Sequence, residues 1–267
     1  MRYTGGMTAK SYPTDLPDAA WDCIKEVIPP PQPGGRHREL AMRAVVHAIF
    51  SGVDGDRPWR LLPQEAPKWP RVSWECSPWR ARGDWHRLHD PRCAHGRQQA
   101  GRHQHPTAGG LDSPSVTPTA LGGERGYERG TKGHGRQGPL RVDTLGLRMA
   151  VVVTAAAVSD PAAAHLLGAP LGGACKKLRL LGVEGGSRGH LVAWVAQHRR
   201  CRLRVTLWPE GWQGFGRLPR RWVVERTLAG LTQSRRVRQD SARLPKSSEA
   251  MLSLSMTRLM LRRLAAA

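Results

Sequence analysis

Three acidic residues are placed where side chains from different elements can share one site. Asp112 lies in the segment LDSPSV, Glu184 directly follows the apolar segment LRLLGV, and Glu225 lies in RRWVVERTL. Carboxylates from two strand ends and a neighbouring helix can meet at one edge of a sheet, where their hard oxygens would hold Mg²⁺ or Mn²⁺. Two such ions activate the attacking oxygen and stabilise the leaving oxygen of a phosphodiester. From residue type and spacing alone, solvated or ion-paired carboxylates are the commoner interpretation.

The overall charge favours a polyanionic partner. The 267 residues include 42 Lys and Arg against 21 Asp and Glu, which gives a net charge of +21. Most of the basic residues are Arg, whose planar guanidinium matches phosphate oxygens. No apolar run is long enough to span a bilayer, and the amino terminus MRYTGGMTAK lacks the apolar segment of a secretory signal. Five scattered Cys favour reduced thiols. We therefore expect a cytoplasmic, nucleoid-associated protein that binds nucleic acid.

Residues 12–90 predict a helical domain. Apolar residues recur at helical spacing over residues 16–28 and again over residues 40–49, and the proline-rich PPPQPGG separates the two runs. A third helix is predicted over residues 72–85, and Pro78 is expected to shorten or kink it.

Two polar passages predict irregular structure. Residues 91–110 carry almost no large apolar side chain and no periodicity, so we interpret them as a linker. Residues 118–138 are similarly rich in Gly, and no element is predicted there.

The remaining residues, 111–264, predict a mixed α/β domain. A short strand over residues 111–116 precedes a hairpin that turns at DTLG. The strands LRLLGV and LRVTLW then alternate with helices near residues 160–167 and 190–197. Two further helices are predicted over residues 219–236 and 247–264, the second behind a serine cap.

The sequence around the three acids resembles the bacterial insertion-sequence transposases of the DDE type. The segments that carry the resemblance follow one another in that family's order: YPTDLPDAAWDCIKEVIPPPQPGGRHREL, AIFSGVDGDRPWRLLP, LDSPSV, VDTLGL, VEGGSRG, LPRRWVVERTLAGL and RLPKSSEAMLSLSMTRLMLRRLA. The resemblance covers nearly the whole chain apart from the two polar passages. It implies a small all-α DNA-binding domain of the insertion-element type, residues 12–90, in front of a mixed α/β ribonuclease-H-like catalytic domain, residues 111–264.

The same resemblance implies metal-dependent cleavage at the ends of an insertion element and strand transfer into target DNA. Carried over by position, the catalytic and metal-binding residues are Asp112, Glu184 and Glu225, which would hold two Mg²⁺ or Mn²⁺ ions. The implied partner is double-stranded DNA, both the terminal inverted repeats and a target site, bound by a homodimer. At the second acid the family normally has Asp followed by Gly-Gly-Tyr, whereas this chain has Glu184, with Ser187 in place of the Tyr.

Departures from the family pattern keep a second function open, a catalytically dead remnant that binds element ends without cutting them. The extra methylene of Glu184 displaces its carboxylate by roughly 1–1.5 Å relative to Asp. Pro78 replaces a helix-compatible basic residue, and Gly230 replaces a large aromatic residue in the segment that carries Glu225. A chain that does not fold stably is the third possibility.

Eight arginines are predicted to contact DNA. Five belong to the first domain and three surround the third acid: Arg57, Arg60, Arg71, Arg80 and Arg82, then Arg220, Arg221 and Arg226. The tryptophans of the first domain are predicted to be core residues rather than base-stacking ones: Trp59, Trp69, Trp74, Trp79 and Trp85.

Two further candidates have competing interpretations. Asp143 in VDTLG is either a catalytic acid or, more in keeping with its turn sequence, a residue that bonds its own backbone. Cys93, His95, His103 and His105 include ligand types that zinc prefers, but their spacing matches no structural zinc pattern.

Overall fold

Among the described residues, the helices lie towards the two ends of the chain and the strands lie between them. The computed structural model describes residues 12–31, 40–116, 123, 125–128, 133–156, 177–184, 201–206 and 222–266. Its α-helices are α1 (Asp18–Asp22), α2 (Met42–Gly55), α3 (Trp69–Arg82), α4 (Asp84–Gln99), α5 (Trp222–Leu231), α6 (Arg235–Arg238) and α7 (Pro245–Ala265). Short 3-10 turns occur at Lys25–Val27 and Trp59–Leu61. Within the described residues, no helix is both long enough and apolar enough to cross a membrane.

A helical core joins the two ends of the chain. Apolar side chains of α1 to α4 pack together with Met251, Leu254, Met260 and Leu261 of α7. Trp79 and Trp85 are fully buried in this core and meet edge to face, with ring centroids 5.4 Å apart. The carboxyl-terminal helix therefore completes the hydrophobic core that the amino-terminal helices begin.

The predicted helices of the first domain form, but their bounds differ from the prediction. The first is broken into α1 and a 3-10 turn. The second is α2, which ends at Gly55 and is capped by Asp56 in a left-handed conformation (φ 49°). The third, α3, runs through Pro78 for 14 residues, so the expectation that Pro78 shortens it is wrong. Burial of Val72, Cys76 and Trp79 on one side of α3 offsets the cost of the proline.

The prediction of an irregular linker over residues 91–110 is wrong at both ends. Helix α4 continues to Gln99, and strand β1 begins at Ala108. After Leu88 the inner side of α4 uses small and polar residues instead of large apolar ones, so its periodicity was hidden. A Cβ at Gly96 would lie 3.3 Å from Leu264 of α7, and Cys93 lies 3.6 Å from the sulfur of Met260. Packing against α7 thus stabilises a segment of weak intrinsic propensity.

Five strands form the main sheet in the order β6-β5-β1-β8-β9. The strands are β1 (Ala108–Asp112), β5 (Leu140–Asp143), β6 (Arg148–Val151), β8 (Leu180–Glu184) and β9 (Arg202–Thr206). β5 is antiparallel to both β6 and β1, whereas β8 is parallel to β1 and to β9. The predicted hairpin and the predicted strands before Glu184 and at LRVTLW are confirmed. The helices predicted near residues 160–167 and 190–197 lie outside the described residues.

A smaller sheet occupies part of the second polar passage, where no element was predicted. β2 (Ser115–Val116), β3 (Gly126–Glu128) and β7 (Thr154–Ala155) all pair antiparallel with β4 (Gly133–Gln137). The buried Arg136 of β4 donates to Asp240 Oδ2 at 2.8 Å and to Ser248 Oγ at 3.1 Å. This ion pair anchors β4 to the carboxyl-terminal helices and explains an ordered strand in a sequence without an apolar pattern.

The two carboxyl-terminal helices are confirmed with corrected ends. The predicted helix over residues 219–236 appears as α5 and α6, which are separated by a turn at residues 232–234. Helix α7 begins one turn earlier than a Ser247 cap would place it, with Leu244 at the cap position and Pro245 first in the helix. Four of the five cysteines, Cys23, Cys76, Cys93 and Cys201, are free thiols, and Cys175 lies outside the described residues.

Candidate active site

Asp112 and Glu184 occupy matching positions on adjacent parallel strands. β1 and β8 pair residues that are 72 apart in the chain, Ala108 with Leu180 and Gly110 with Gly182. Asp112 and Glu184 have the same separation and end their strands. The register of β8 with β9 then pairs Glu184 with Thr206. Positions 112, 184 and 206 therefore form one row at the carboxyl edge of three parallel strands.

Helix α5 packs on the face of β1 that carries Asp112. Gly110 and Asp112 are two residues apart and so lie on the same face of the strand. A Cβ at Gly110 would collide with the Val224 side chain of α5, so the glycine allows the helix to approach the sheet closely. The β-branched Val224 has few rotamers with which to avoid such a contact. Gly110 thus sets the distance between α5 and the strand that ends in Asp112.

Glu225 follows Val224 in the first turn of α5 and is half-buried. A carboxylate in the first turn of a helix is favoured by the exposed N–H groups of the helix terminus. Thr227 holds the helix against the β5–β6 turn, because its hydroxyl lies 2.8 Å from the Val223 carbonyl and 3.4 Å from that of Gly146. Gly146 has φ 79°, and a Cβ there would collide with the Thr227 hydroxyl. Two glycines and one threonine therefore fix the helix that carries Glu225.

A cleft of about 790 Å³ opens beside this row of strand ends. Its walls include Asp112, Thr206 and Arg204 from the sheet, and Trp222 from α5. Gly182 contributes no side chain, and among the described atoms a Cβ there would have only the Gly109 carbonyl within contact distance, at 3.7 Å. Asp112 accepts a hydrogen bond from the Ser113 N–H at 3.0 Å. The cleft therefore places a carboxylate and an exposed guanidinium on one surface, a combination suited to a metal-bound phosphate.

Arg204 is a site residue that the sequence reasoning missed. It lies on β9 in register with Gly182, two residues before Thr206. The signal was present in the strand RLRVT, where arginine alternates with an apolar residue, because such alternation puts both arginines on one face.

The chemistry of the three predicted acids suits Mg²⁺ or Mn²⁺, since both ions prefer oxygen ligands. The side chain of Glu184 is not among those described. Among the side chains that are, no group of three His, Cys, Asp or Glu residues is arranged to hold a metal ion. The fit of the site to a metal therefore depends on the type of the three residues and on the register of positions 112 and 184.

Asp143 is a turn residue in the structure. Its Oδ1 accepts hydrogen bonds from the backbone N–H groups of Leu145 and Leu147, both at 2.8 Å. Its Oδ2 forms a buried ion pair with Arg97 of α4. The antiparallel register pairs Asp143 with Gly109, at the end of β1 away from Asp112. The structure therefore favours the turn interpretation of Asp143.

The predicted DNA-binding arginines that the structure describes are all exposed: Arg57, Arg60, Arg71, Arg80, Arg82 and Arg226. The guanidinium of Arg226 lies 4.6 Å from the ring centroid of Trp222, at the rim of the cleft. Arg60 is stacked in the same way on Trp69, at 5.3 Å. Arg220 and Arg221 lie outside the described residues.

The tryptophans of the first domain divide into two groups. Trp79 and Trp85 are core residues as predicted, and Trp59 packs partly buried against the same core. The core prediction is wrong for Trp69, which is 39% exposed, and for Trp74, which is 74% exposed. Trp74 lies on the side of α3 opposite Val72, Cys76 and Trp79, so the helical period places it in solvent.

The proposed zinc group does not assemble around Cys93. Its sulfur lies 3.2 Å from Nδ1 of the buried His89, whereas His95, two residues further along α4, is exposed. Burial lowers the pKa of His89 to about 4 and raises the pKa of the Cys93 thiol. His103 and His105 face each other instead, with ring centroids 5.7 Å apart. His89 and Cys93 are therefore neutral parts of the contact between α4, β6 and α7.

Comparison with known proteins gives a match for the helical part of the molecule. Residues 16–89 match the family described as "Putative transposase of IS4/5 family (DUF4096)". The matched residues include α1, α2, α3 and the beginning of α4, and they end before β1. No curated protein matches the chain. The family match supports an insertion-sequence transposase.

Proposed function

We propose that the chain is a DNA transposase of the DDE type that cuts insertion-element ends and joins them to target DNA. The observation that carries this proposal is the register of β1 and β8, which aligns Asp112 with Glu184 at one sheet edge. Glu225 lies on the helix that packs on the same strand β1. The three acids of the sequence pattern, far apart in the chain, thereby belong to one region of the fold.

The order of the sheet supports a ribonuclease-H-like catalytic domain. Three antiparallel strands are followed in the chain by two parallel strands, which are added on the side of the first strand. A mixed sheet is compatible with the α/β catalytic domain that the resemblance implies. The carboxyl edge of adjacent parallel strands is also a common place for active sites in sheets of this kind.

In this proposal Asp112, Glu184 and Glu225 hold two Mg²⁺ or Mn²⁺ ions. Bound there, the ions would activate the attacking oxygen and stabilise the oxygen that leaves phosphorus. Arg204 and Arg226 carry positive charge at the cleft, where they bind the phosphates on either side of the cut. The stack of Arg226 on Trp222 reduces the freedom of its side chain before DNA arrives.

The reaction consists of two displacements at phosphorus. A water oxygen first bonds to phosphorus at the element end, and the bond from phosphorus to the 3′ oxygen breaks, which leaves a 3′-hydroxyl and a 5′-phosphate. That hydroxyl then bonds to a phosphorus of the target strand and displaces the target's own 3′ oxygen. No covalent bond to the protein forms in either step. The protein binds both DNA segments and aligns the attacking oxygen with the bond that breaks.

A second candidate function is binding of element ends without cleavage. The observation that favours it is Glu184 at the position where the family has Asp. Mg²⁺ requires near-ideal octahedral geometry, so a carboxylate displaced by roughly 1 Å weakens the site. A misplacement of that size can lower a rate about a hundredfold.

A nicking assay separates the two functions. The full chain is incubated with Mg²⁺ or Mn²⁺ and a supercoiled plasmid that carries the DNA flanking its gene. The transposase proposal predicts nicking that is lost in Glu225→Gln, kept in the exposed-carboxylate control Asp22→Asn, and faster in Glu184→Asp. Salt-dependent binding without nicking would support the second function. Absence of any DNA binding would contradict both.

A further inference from the structure

Helix α3 presents a tryptophan to solvent on a face that the helical core does not use. Trp74 is 74% exposed, whereas Trp79 on the same helix is 1% exposed. The helical period of 3.6 residues places Arg71, Ser77 and Ala81 on the same side as Trp74, and all three are exposed. Tryptophan is enriched at interfaces because it combines a large apolar body with a polar tip, so Trp74 is a candidate contact residue if the charge around it is also suited to a partner.

The exposed basic residues of this surface favour a polyanionic partner. Lys68 and Arg71 lie at the start of α3 and Arg80 and Arg82 at its end, all exposed, and the one acid of the helix is Glu75. Arg71 and Arg82 lie on one side of Trp74, about 16 Å apart along the helix axis. Next to the start of α3, Arg60 is stacked on Trp69 at 5.3 Å.

Two of these cations are oriented by neighbouring residues. Arg80 donates to the Ser247 hydroxyl of α7 at 2.8 Å. Arg82 forms an ion pair with Asp84 at 2.7 Å. Because these contacts restrict the side chains, less conformational entropy is lost when a phosphate binds.

We propose that α3 lies in the major groove of duplex DNA, where Trp74 contacts base edges and Arg71 and Arg82 contact the phosphates beside it. This inference rests on the proposed function and assigns its DNA-reading element. The groove, about 12 Å wide, admits an α-helix. Ser77 and Ala81, which follow Trp74 on the same face, are small enough for the helix backbone to approach the base edges.

The two kinds of contact respond differently to salt, which allows them to be measured apart. A phosphate contact releases counterions, so its loss reduces the slope of affinity against salt. An apolar contact to a base releases none, so its loss lowers affinity at every salt concentration by the same factor. Trp74→Ala and Arg71→Ala should therefore weaken binding with different salt signatures.

The experiment measures binding of the full chain to a labelled duplex of about 30 base pairs, roughly three helical turns. The duplex carries the DNA flanking the gene, and fluorescence anisotropy is recorded over a series of salt concentrations. We expect Trp74→Ala to lower affinity about tenfold with an unchanged salt slope, as for loss of one base contact. We expect Arg71→Ala to reduce the slope by about one unit.

Matched variants test whether the position or the residue type is responsible. Tyr127→Ala removes another exposed aromatic side chain, from β3, and should leave affinity unchanged. Trp74→Phe should keep most of the affinity that Trp74→Ala loses. Thermal melts of each variant establish that the helical core is intact.

The outcomes separate this inference from the proposed function. Unaltered binding and slope in both Trp74→Ala and Arg71→Ala would overturn the role of α3 and leave the transposase proposal standing. The role of α3 in DNA binding would also be overturned if Trp74→Ala keeps its DNA affinity but loses binding to vesicles of anionic phospholipid. The surface would then be a membrane contact. Absence of binding by the unaltered chain would overturn the proposed function and this inference together.

Discussion

In the helical core the largest buried side chains are Trp79, Trp85 and Phe50, whereas in the two sheets they include Arg136 and Arg141. The described arginines around α3 are all exposed, whereas two other helices each bury an arginine, Arg97 of α4 and Arg258 of α7. The strands bury charge and neutralise it, as Arg136 does with Asp240 and Arg97 of α4 does with Asp143 of β5. A net charge of +21 is thus accommodated in two ways within one chain.

The helical core and the sheets are therefore stabilised in different ways, and the candidate active site lies at the main sheet. Burial of apolar side chains is non-directional and stabilises the helical core without constraint on charge. A buried ion pair gains less, because desolvation opposes the attraction, and it tolerates no loss of one partner. The sheets should therefore depend on particular charged pairs, whereas the helical core depends on the buried volume of its apolar side chains.

The largest effect is expected in the helical core. Trp79→Ala removes a fully buried indole and its contact with Trp85, and it should lower the free energy of unfolding by about 4 kcal/mol. Urea denaturation followed by circular dichroism measures this loss. The matched control is Trp74→Ala on the exposed side of the same helix, which should change stability by less than about 0.5 kcal/mol. Similar losses in both variants would contradict the assignment of the two faces.

The next effect tests the buried charge of the smaller sheet. Asp240→Asn leaves the guanidinium of Arg136 buried without its counter-charge, and it should cost about 3 kcal/mol in the free energy of unfolding. Adding Arg136→Met to that variant should recover part of the loss. Asp22→Asn, which breaks an exposed pair with Lys25, should have no measurable effect. If the double variant is less stable than Asp240→Asn, the buried charge of Arg136 is not the cause of the stability that Asp240→Asn loses.

The contact between α4 and the sheet should depend on pH. Burial lowers the pKa of His89 from 6.5 to about 4, so the unfolded chain binds more protons than the folded one between these values. Stability should therefore fall as the pH falls, by about 2 kcal/mol from about pH 7.5 to about pH 5. His89→Gln should reduce this dependence, although His86, whose pKa is also lowered by burial, remains; the exposed His95→Gln on the same helix should keep it in full. Denaturation curves with equal slopes in pH for both variants would exclude His89 as the source.

A smaller effect tests how α5 sits on the sheet. Gly110→Ala places a methyl group against Val224 and should cost about 1 to 2 kcal/mol. Gly182→Ala, in register on the next strand, makes an ordinary van der Waals contact with the Gly109 carbonyl at 3.7 Å and should be nearly neutral. The nicking rate gives a second measurement. Displacement of α5 moves Glu225, so Gly110→Ala should lower the nicking rate even at temperatures where the variant is fully folded. If Gly110→Ala melts and nicks as the unaltered chain does, α5 does not depend on this glycine.

Elements with a strong apolar period could be predicted, and elements held by polar contacts could not. Helix α7 and the β5–β6 hairpin follow from their patterns, with errors only at the ends. The second half of α4 escaped prediction because Cys93, Gly96 and Arg97 form its inner side. Strand β4 escaped because the ion pair of Arg136 with Asp240 joins residues that are far apart in the chain.

The candidate site was only partly accessible from the sequence. Asp112, Glu184 and Glu225 came from the resemblance, and their separations alone did not require a common site. The shared edge depends on the register of β1 with β8 and on the packing of Val224 against Gly110, both of which are tertiary features. Exposure of Trp74 could have been read from the period of α3, since it lies opposite Val72 and Trp79.

The most direct test of the central claim is whether the acids act as one unit in cutting DNA. The nicking rate with Mn²⁺ is measured for the unaltered chain, Asp112→Asn, Glu225→Gln and the double variant, after melts establish equal folding. Groups that act together are strongly non-additive, so each single variant should abolish nicking and the double variant should be no slower than either. Nicking that survives in Asp112→Asn or in Glu225→Gln at the unaltered rate would contradict the account.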